Sequence, residues 1–187
     1  MCLDHGRFNG GIMITVIALL VVVAIGGLLL VAATRPDSFR IERSTVIQAP
    51  PAAIFALIND LHRWEAWSPW EKVDPALTRT YGGAPSGVGA TYAWAGNRQI
   101  GAGSMEIIGS VPPAKVTLKL DFSTPFEAHN TAEFTLEPQG DATRVTHAMF
   151  GPSPFMSKLM GLVFSMDKMV GGKFEEGLAN LKALAEK

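Results

Sequence analysis

The chain has 187 residues, 48% of them apolar and 18% charged, with a mean hydropathy of +0.21. An average soluble domain is about a quarter charged, so this chain is oily for its size. Its 16 basic and 17 acidic residues give a net charge of −1, which argues against a general nucleic-acid binder, since that function needs a basic face. The apolar content excludes wholesale disorder, no recurring period supports a repeat architecture, and the length allows one domain of about 150 residues with a real core.

The oil is concentrated near the N-terminus. Residues 1–10 form a short flank, and Gly11 to Ala33 then run for 23 residues without a charge, with Thr15 the sole polar side chain. At about 1.5 Å per residue a helix of that length spans roughly 34 Å, enough to cross a hydrocarbon core of about 30 Å. The run predicts one uncleaved transmembrane helix over 11–33. A cleaved signal peptide and a buried core helix are the rivals. The run is too long for a signal's apolar region and lacks a preceding basic cluster, and it has no polar edge to suit a core helix. Arg7 precedes the segment, whereas Arg35, Arg40 and Arg43 follow it, so the positive-inside count leans toward a cytoplasmic C-terminal domain. Met13 is an alternative start, and the single Cys2 has no internal disulfide partner. Setting aside Arg7, Arg35 and Asp4 leaves 14 basic against 16 acidic residues from position 36 onward, net −2, an ordinary soluble composition.

Residues 34–38 read as a linker, and 39–187 as one soluble domain. Phe39 to Gln48 predicts a strand with Ile41, Arg43, Thr45 and Ile47 on one side. Ala49-Pro50-Pro51 stops it and starts an amphipathic helix over Ala52 to Leu61. Trp64, Trp67 and Trp70 follow in a short helix or packed loop, more in keeping with structure than with function. Six alternating runs come next: Leu77–Tyr81, Ala90–Ala95, Gly101–Ser110, Ala114–Phe122, Glu127–Glu137 and Thr143–Phe150. Turn-forming Gly, Pro, Asn and Asp separate them, which is the signature of an antiparallel sheet. From Pro154 to about Glu186 the spacing turns helical, with Gly171-Gly172 as a kink or split. The expected fold is α+β, with the sheet wrapped around that last helix because each has one oily side.

Four segments stand out in this order: VIQAPPAAIFALIND at 46–60 followed by Trp64 and Trp67, GVGATYAW at 87–94, GAGSM at 101–105 and FEEGLANLK at 174–182. Together they resemble the SRPBCC, or START-like, superfamily, also known as the birch-pollen-allergen fold. The nearest branch is the polyketide cyclase/dehydrase and lipid-transport group, and the resemblance covers about residues 38–186. It implies a helix-grip fold: a seven-stranded curved antiparallel sheet around the C-terminal helix, enclosing a cavity for an apolar ligand. It does not fix the chemistry, because a fold hosts many functions.

A ligand cavity is mostly apolar with a few placed polar groups. Period-2 logic points Asn130 inward beside Ala128, Ala132, Phe134 and Leu136, with His129, Glu133 and Glu137 outward. His147 and Met149 share the inward face of the next strand with Val145. Tyr92 and Trp94 share one side of theirs, which belongs either to the cavity or to solvent. Met166 is a cavity candidate or core filler. Each polar candidate also has a plain reading, His147 as a satisfied core histidine and Asn130 as a partner for a buried water or helix. No catalytic constellation emerges, and no metal-ligand spacing, phosphate loop or cofactor signature is present. The leading expectation is a membrane-anchored binding module for a hydrophobic small molecule or lipid. The alternatives are a polyketide cyclase/dehydratase-type enzyme with His147 as general base, and a protein-interaction domain like the chaperone co-factors of the superfamily.

Overall fold

The computed structural model describes residues 6–162 and 165–187; Cys2 and His5 lie outside them. The chain divides into two compact units. One joins the N-terminal segment through Asp37 with the segment that begins at Ser153. The other comprises Ser38–Pro152 and Ser165–Lys187.

In the first unit, helix α1 (Gly6–Ala33) extends the expected span upstream to Gly6. Its stretch Gly11–Ala33 is long and apolar enough to cross a membrane, and among the described residues all of it from Gly11 to Val31 is exposed. Helix α3 (Phe155–Met160) packs against α1. Ser153 N donates to Asp37 O at 2.7 Å, so the entry and exit of this unit are tied together.

The second unit is a sheet of seven antiparallel strands: β1 (Ser38–Ile47), β2 (Thr78–Gly83), β3 (Ala90–Ala95), β4 (Ala102–Val111), β5 (Lys115–Thr124), β6 (Ala128–Gln139) and β7 (Ala142–Pro152). Their spatial order is β1-β7-β6-β5-β4-β3-β2, so only β1 departs from a simple meander, returning to pair with β7. Alternation sorts the faces. Val116, Leu118, Ala132, Phe134, Leu136 and Val145 are buried, while Lys119 and His129 point out.

Helix α2 (Pro51–Ile58) starts with Pro51 in its first turn, where the missing N–H costs nothing, and buries Ile54, Phe55 and Ile58. Two 3-10 turns follow, Leu61–Ala66 and Pro69–Lys72. Trp64 in the first turn and Trp67 just after it finish α2: Trp64 Nε1 donates to Ile58 O at 2.9 Å and Trp67 Nε1 to Leu57 O at 3.3 Å. These are carbonyls that a helix end leaves without partners. Both rings then meet Phe134 edge-on, at 5.8 and 5.9 Å between centroids. Phe134 is fully buried, which stabilises the unit by about 1.5–3 kcal/mol.

Helix α4 (Met166–Ala185) completes the grip by burying Phe174, Leu178 and Leu181. The break expected at Gly171-Gly172 is not there. The C-terminal helical region instead divides between Met160 and Met166, and α4 runs unbroken through both glycines. Ser165 caps the new start, its Oγ accepting from Lys168 N, and Asp167 sits in the positive first turn.

Candidate functional site

The inner face of the sheet is not uniformly filled. At one end a continuous cluster of Ile47, Ile54, Ile58, Trp64, Trp67, Phe134, Leu178 and Leu181 leaves no exposed surface of note. At the other end a smaller cluster of Ile41, Met149 and Phe174 is flanked by partly covered Phe39, Leu120 and Val170. Phe122 and Asn130 are likewise half-buried.

Register places the candidate polar groups along this gradient. On β7 the inward row is Val145, His147, Met149 and Gly151; on β6 it is Leu136, Phe134, Ala132 and Asn130, each opposite its partner. His147 is therefore beside the closed end. Its ring lies between Phe134 and Phe174, stacked at 4.0 and 3.7 Å between centroids. Burial pushes its pKa down to about 3, so the ring is neutral near pH 7. No carboxylate hydrogen-bonds it among the described residues. Asn130 lies at the opposite end of the row, four residues of strand away, or roughly 13 Å. Its amide leans over Gly151, where an added Cβ would come within 2.3 Å of Oδ1. Met149 sits between them, 6% exposed. Asn130 and His147 thus bracket an apolar floor rather than forming a joint acid–base pair.

The other candidates lie elsewhere. Tyr92 and Trp94 face inward but are part of the packed core, 5% and 8% exposed. The Tyr92 hydroxyl donates to Glu71 Oε1 at 2.6 Å, and burial followed by that carboxylate pushes its pKa well up. Trp94 Nε1 donates to Ile100 O, and the ring meets Phe122 edge-on at 5.7 Å. Met166 opens α4 and is 47% exposed.

Two charged clusters had no motif to announce them. Glu71 is buried, taking the Tyr92 hydroxyl on one oxygen and Arg79 Nε at 2.6 Å on the other. Arg79 also donates to the Glu71 and Leu77 carbonyls, so the network ties the second 3-10 turn to β2 and β3. Arg43, opposite His147 in the β1–β7 register, uses all five of its N–H groups. Nε donates to Glu175 at 2.6 Å. Nη1 donates to Asp167 Oδ1 and Glu42 O, both at 2.9 Å. Nη2 donates to Asp167 Oδ2 at 2.9 Å and Asp167 O at 3.3 Å. The bidentate hydrogen bonds hold the Asp167 carboxyl below the usual carboxylate range. With its donors engaged, Arg43 positions α4 and offers a ligand nothing without first releasing a carboxylate. The sequence did carry one signal of this role: an arginine on the apolar side of β1.

The outer face of β2–β5 carries a half-open groove of about 370 Å³, whose lining includes Thr80, Thr91, Ser104, Glu106, Lys119 and Asp121. Its lining is mixed, with Tyr81, Ala93 and Met105 beside the charged Glu106, Lys119 and Asp121, and it lies on the face of the sheet away from α4. Among the described residues no His, Cys, Asp and Glu group has metal-binding geometry.

A profile for the polyketide cyclase/dehydrase and lipid transport family matches residues 38–186, which is the whole sheet together with α2 and α4. The chain belongs to that family. No curated protein matches it. Solved structures similar to it include CV1439 from Chromobacterium violaceum, at 15% identity and a TM-score of 0.57, covering 82% of this chain and 99% of that one. Ginseng major latex-like protein 151 from Panax ginseng has 12% identity and a TM-score of 0.58, covering 81% and 100%. DynU16, a protein of the dynemicin biosynthetic locus, has 15% identity and a TM-score of 0.55, covering 82% of this chain and 48% of its own. At these identities the likeness is one of fold. The family member described here has the helix-grip arrangement: a seven-stranded antiparallel sheet with its inner face against a C-terminal helix, preceded in sequence by an apolar N-terminal helix.

Proposed function

We propose that this family member binds a hydrophobic small molecule or lipid against the inner face of its grip, and that residues 11–33 anchor it in a membrane as a single-pass protein. The observation that carries the reading is the half-covered end of the inner face, where Leu120 lies opposite Asn130, Phe122 lies one step beyond it, Val170 of α4 packs on the same small cluster as Leu120, and His147 marks the closed end of the row. A few polar groups around an apolar surface suit a ligand with a large oily body, whose burial is worth about 25 cal/mol per Å². The uncovered α1 supports the anchor.

The family description also favours a second reading, a cyclase or dehydratase acting on a polyketide-like substrate with His147 as general base. The chemistry of His147 supports that reading less well. A general base works best with a pKa near the operating pH, and burial has moved this one down to about 3. Among the described residues no acid orients it either.

Native mass spectrometry of the detergent-extracted full chain, wild type beside Leu120→Asp, tests the binding reading. Wild type is expected to carry a co-purifying apolar ligand. Leu120→Asp, which places a carboxylate on the half-covered floor, is expected to lose most of it while keeping its circular dichroism spectrum. Ligand-free wild type that also takes up no added fatty acid would sink the reading.

A further inference from the structure

We propose that α3 lies in the headgroup region of the bilayer that α1 enters, giving the protein a second and shallow membrane contact. The inference rests on the anchor reading and goes beyond it.

Three features of the N-terminal unit point there. The first is exposure. In the six-residue α3, Phe155 is 46% exposed, Met156 66% and Met160 46%, while Leu159 is half-buried. Water is a poor neighbour for so much oil on so short a helix. The second is position. α3 packs against α1, and Ala32, in the last turn of α1, is fully buried, whereas Gly11 to Val31 are all exposed. If Gly11–Ala33 crosses a bilayer, Ala32 sits where the chain emerges from it, and an element packed on α1 lies close to the lipid headgroups. The third is charge. The single charged side chain of α3 is Lys158; it is 8% exposed, and its Nζ pairs with the exposed carboxylate of Asp37, just past the end of α1. The Lys158 ammonium in turn holds the Asp37 carboxyl below the usual carboxylate range. The cation that would oppose burial in the interface is thus neutralised at the level where the chain leaves α1. Short interfacial helices bury an apolar face about 5–10 Å into the headgroup boundary, and phenylalanine is among the side chains they use.

The test uses the full chain in phosphatidylcholine–phosphatidylglycerol vesicles, in a Cys2→Ser background that removes the single native cysteine. An environment-sensitive fluorophore is attached through Met156→Cys, through Phe155→Cys as a second α3 site, through Thr15→Cys in α1, and through Asp141→Cys in the β6–β7 turn. Quenching by lipids spin-labelled at shallow or deep positions is then read. The expected result is a blue-shifted label at 155 and 156, quenched severalfold more than the label at 141 and mainly by the shallow lipid. The label at 15 should be quenched mainly by the deep lipid. If 15 is quenched but 155 and 156 behave like 141, the anchor stands and the α3 proposal fails. If 155 and 156 are blue-shifted yet no lipid quenches them, protein covers α3 and the proposal is again overturned. If 15 is not quenched, the anchor reading itself falls and takes this inference with it.

Discussion

His147 is held between two phenyl rings, and that packing has a consequence for stability. Its pKa is about 3 in the folded chain against 6.5 for an unperturbed imidazole. Between those values the unfolded chain takes up a proton that the folded chain refuses. The contribution is therefore complete above about pH 6.5 and is lost as the pH falls toward 3. His147 as a residue is half-buried, so the loss between about pH 7 and about pH 4.5 is of the order of 1–2 kcal/mol rather than the full linkage value. His147→Phe keeps the stack and removes the titration. Urea unfolding in mild detergent at the two pH values is expected to show a smaller acid loss for the variant than for wild type; equal losses would mean that the buried ring is not what titrates. The inward direction of His147 and Asn130 was legible from strand alternation alone. Their separation along the row was not, because it depends on which residues of β6 and β7 are paired. Glu71 was invisible for a similar reason: its partners, Tyr92 and Arg79, are brought to it by the sheet and not by local spacing.

The elements were legible where turn chemistry punctuates them and illegible where apolar residues run on. Each of the seven strands overlaps its expected range closely, because proline, glycine and alternation mark both ends. The helical C-terminus was harder. Residues 159–166 are mostly Leu, Met, Phe and Val, which fit a helix or a loop equally well, so Gly171-Gly172 stood out as the apparent break. In the structure Gly171 has a different task. A Cβ there would lie 2.3 Å from Arg43 Nη2 and 2.5 Å from Cζ, so the glycine lets the guanidinium lie flat across α4. This makes a sign reversal testable. In wild type, Gly171→Ala gains helix propensity but displaces Arg43 from Asp167 and Glu175, and stability is expected to fall. In an Arg43→Ala background the obstruction is gone, and the same change is expected to raise stability by about 0.5–1 kcal/mol. Thermal melts of the four proteins close a double-mutant cycle. Additive effects would show that Arg43 and Gly171 do not interact. The ion pairs themselves contribute modestly, since the partner carboxylates are 60% and 63% exposed.

At the scale of the whole molecule, the excess oil of the composition belongs to one helix, and the folding core does without it. None of the residues of the two core clusters comes from α1; all belong to the unit of Ser38–Pro152 and Ser165–Lys187. The family match begins at residue 38, where that unit begins. A chain starting at Thr34 is therefore expected to fold in water without detergent and to bind the same apolar ligand. Its melting temperature should lie within about 4 °C of the full-length value, the shift that about 1 kcal/mol produces in a domain of this size. The loss of α1 uncovers the face of α3 that packs on it, so the truncated chain should gain weak, reversible vesicle binding at most, in contrast to the permanent insertion of the full chain. Differential scanning calorimetry and vesicle flotation of both chains read the two quantities side by side. A truncated chain that melts more than about 8 °C lower, the mark of some 2 kcal/mol or more, would make α1 part of the folding unit. Full-length protein that fails to float with vesicles would remove the membrane from the account altogether, and the long apolar helix would then need a protein partner to cover it.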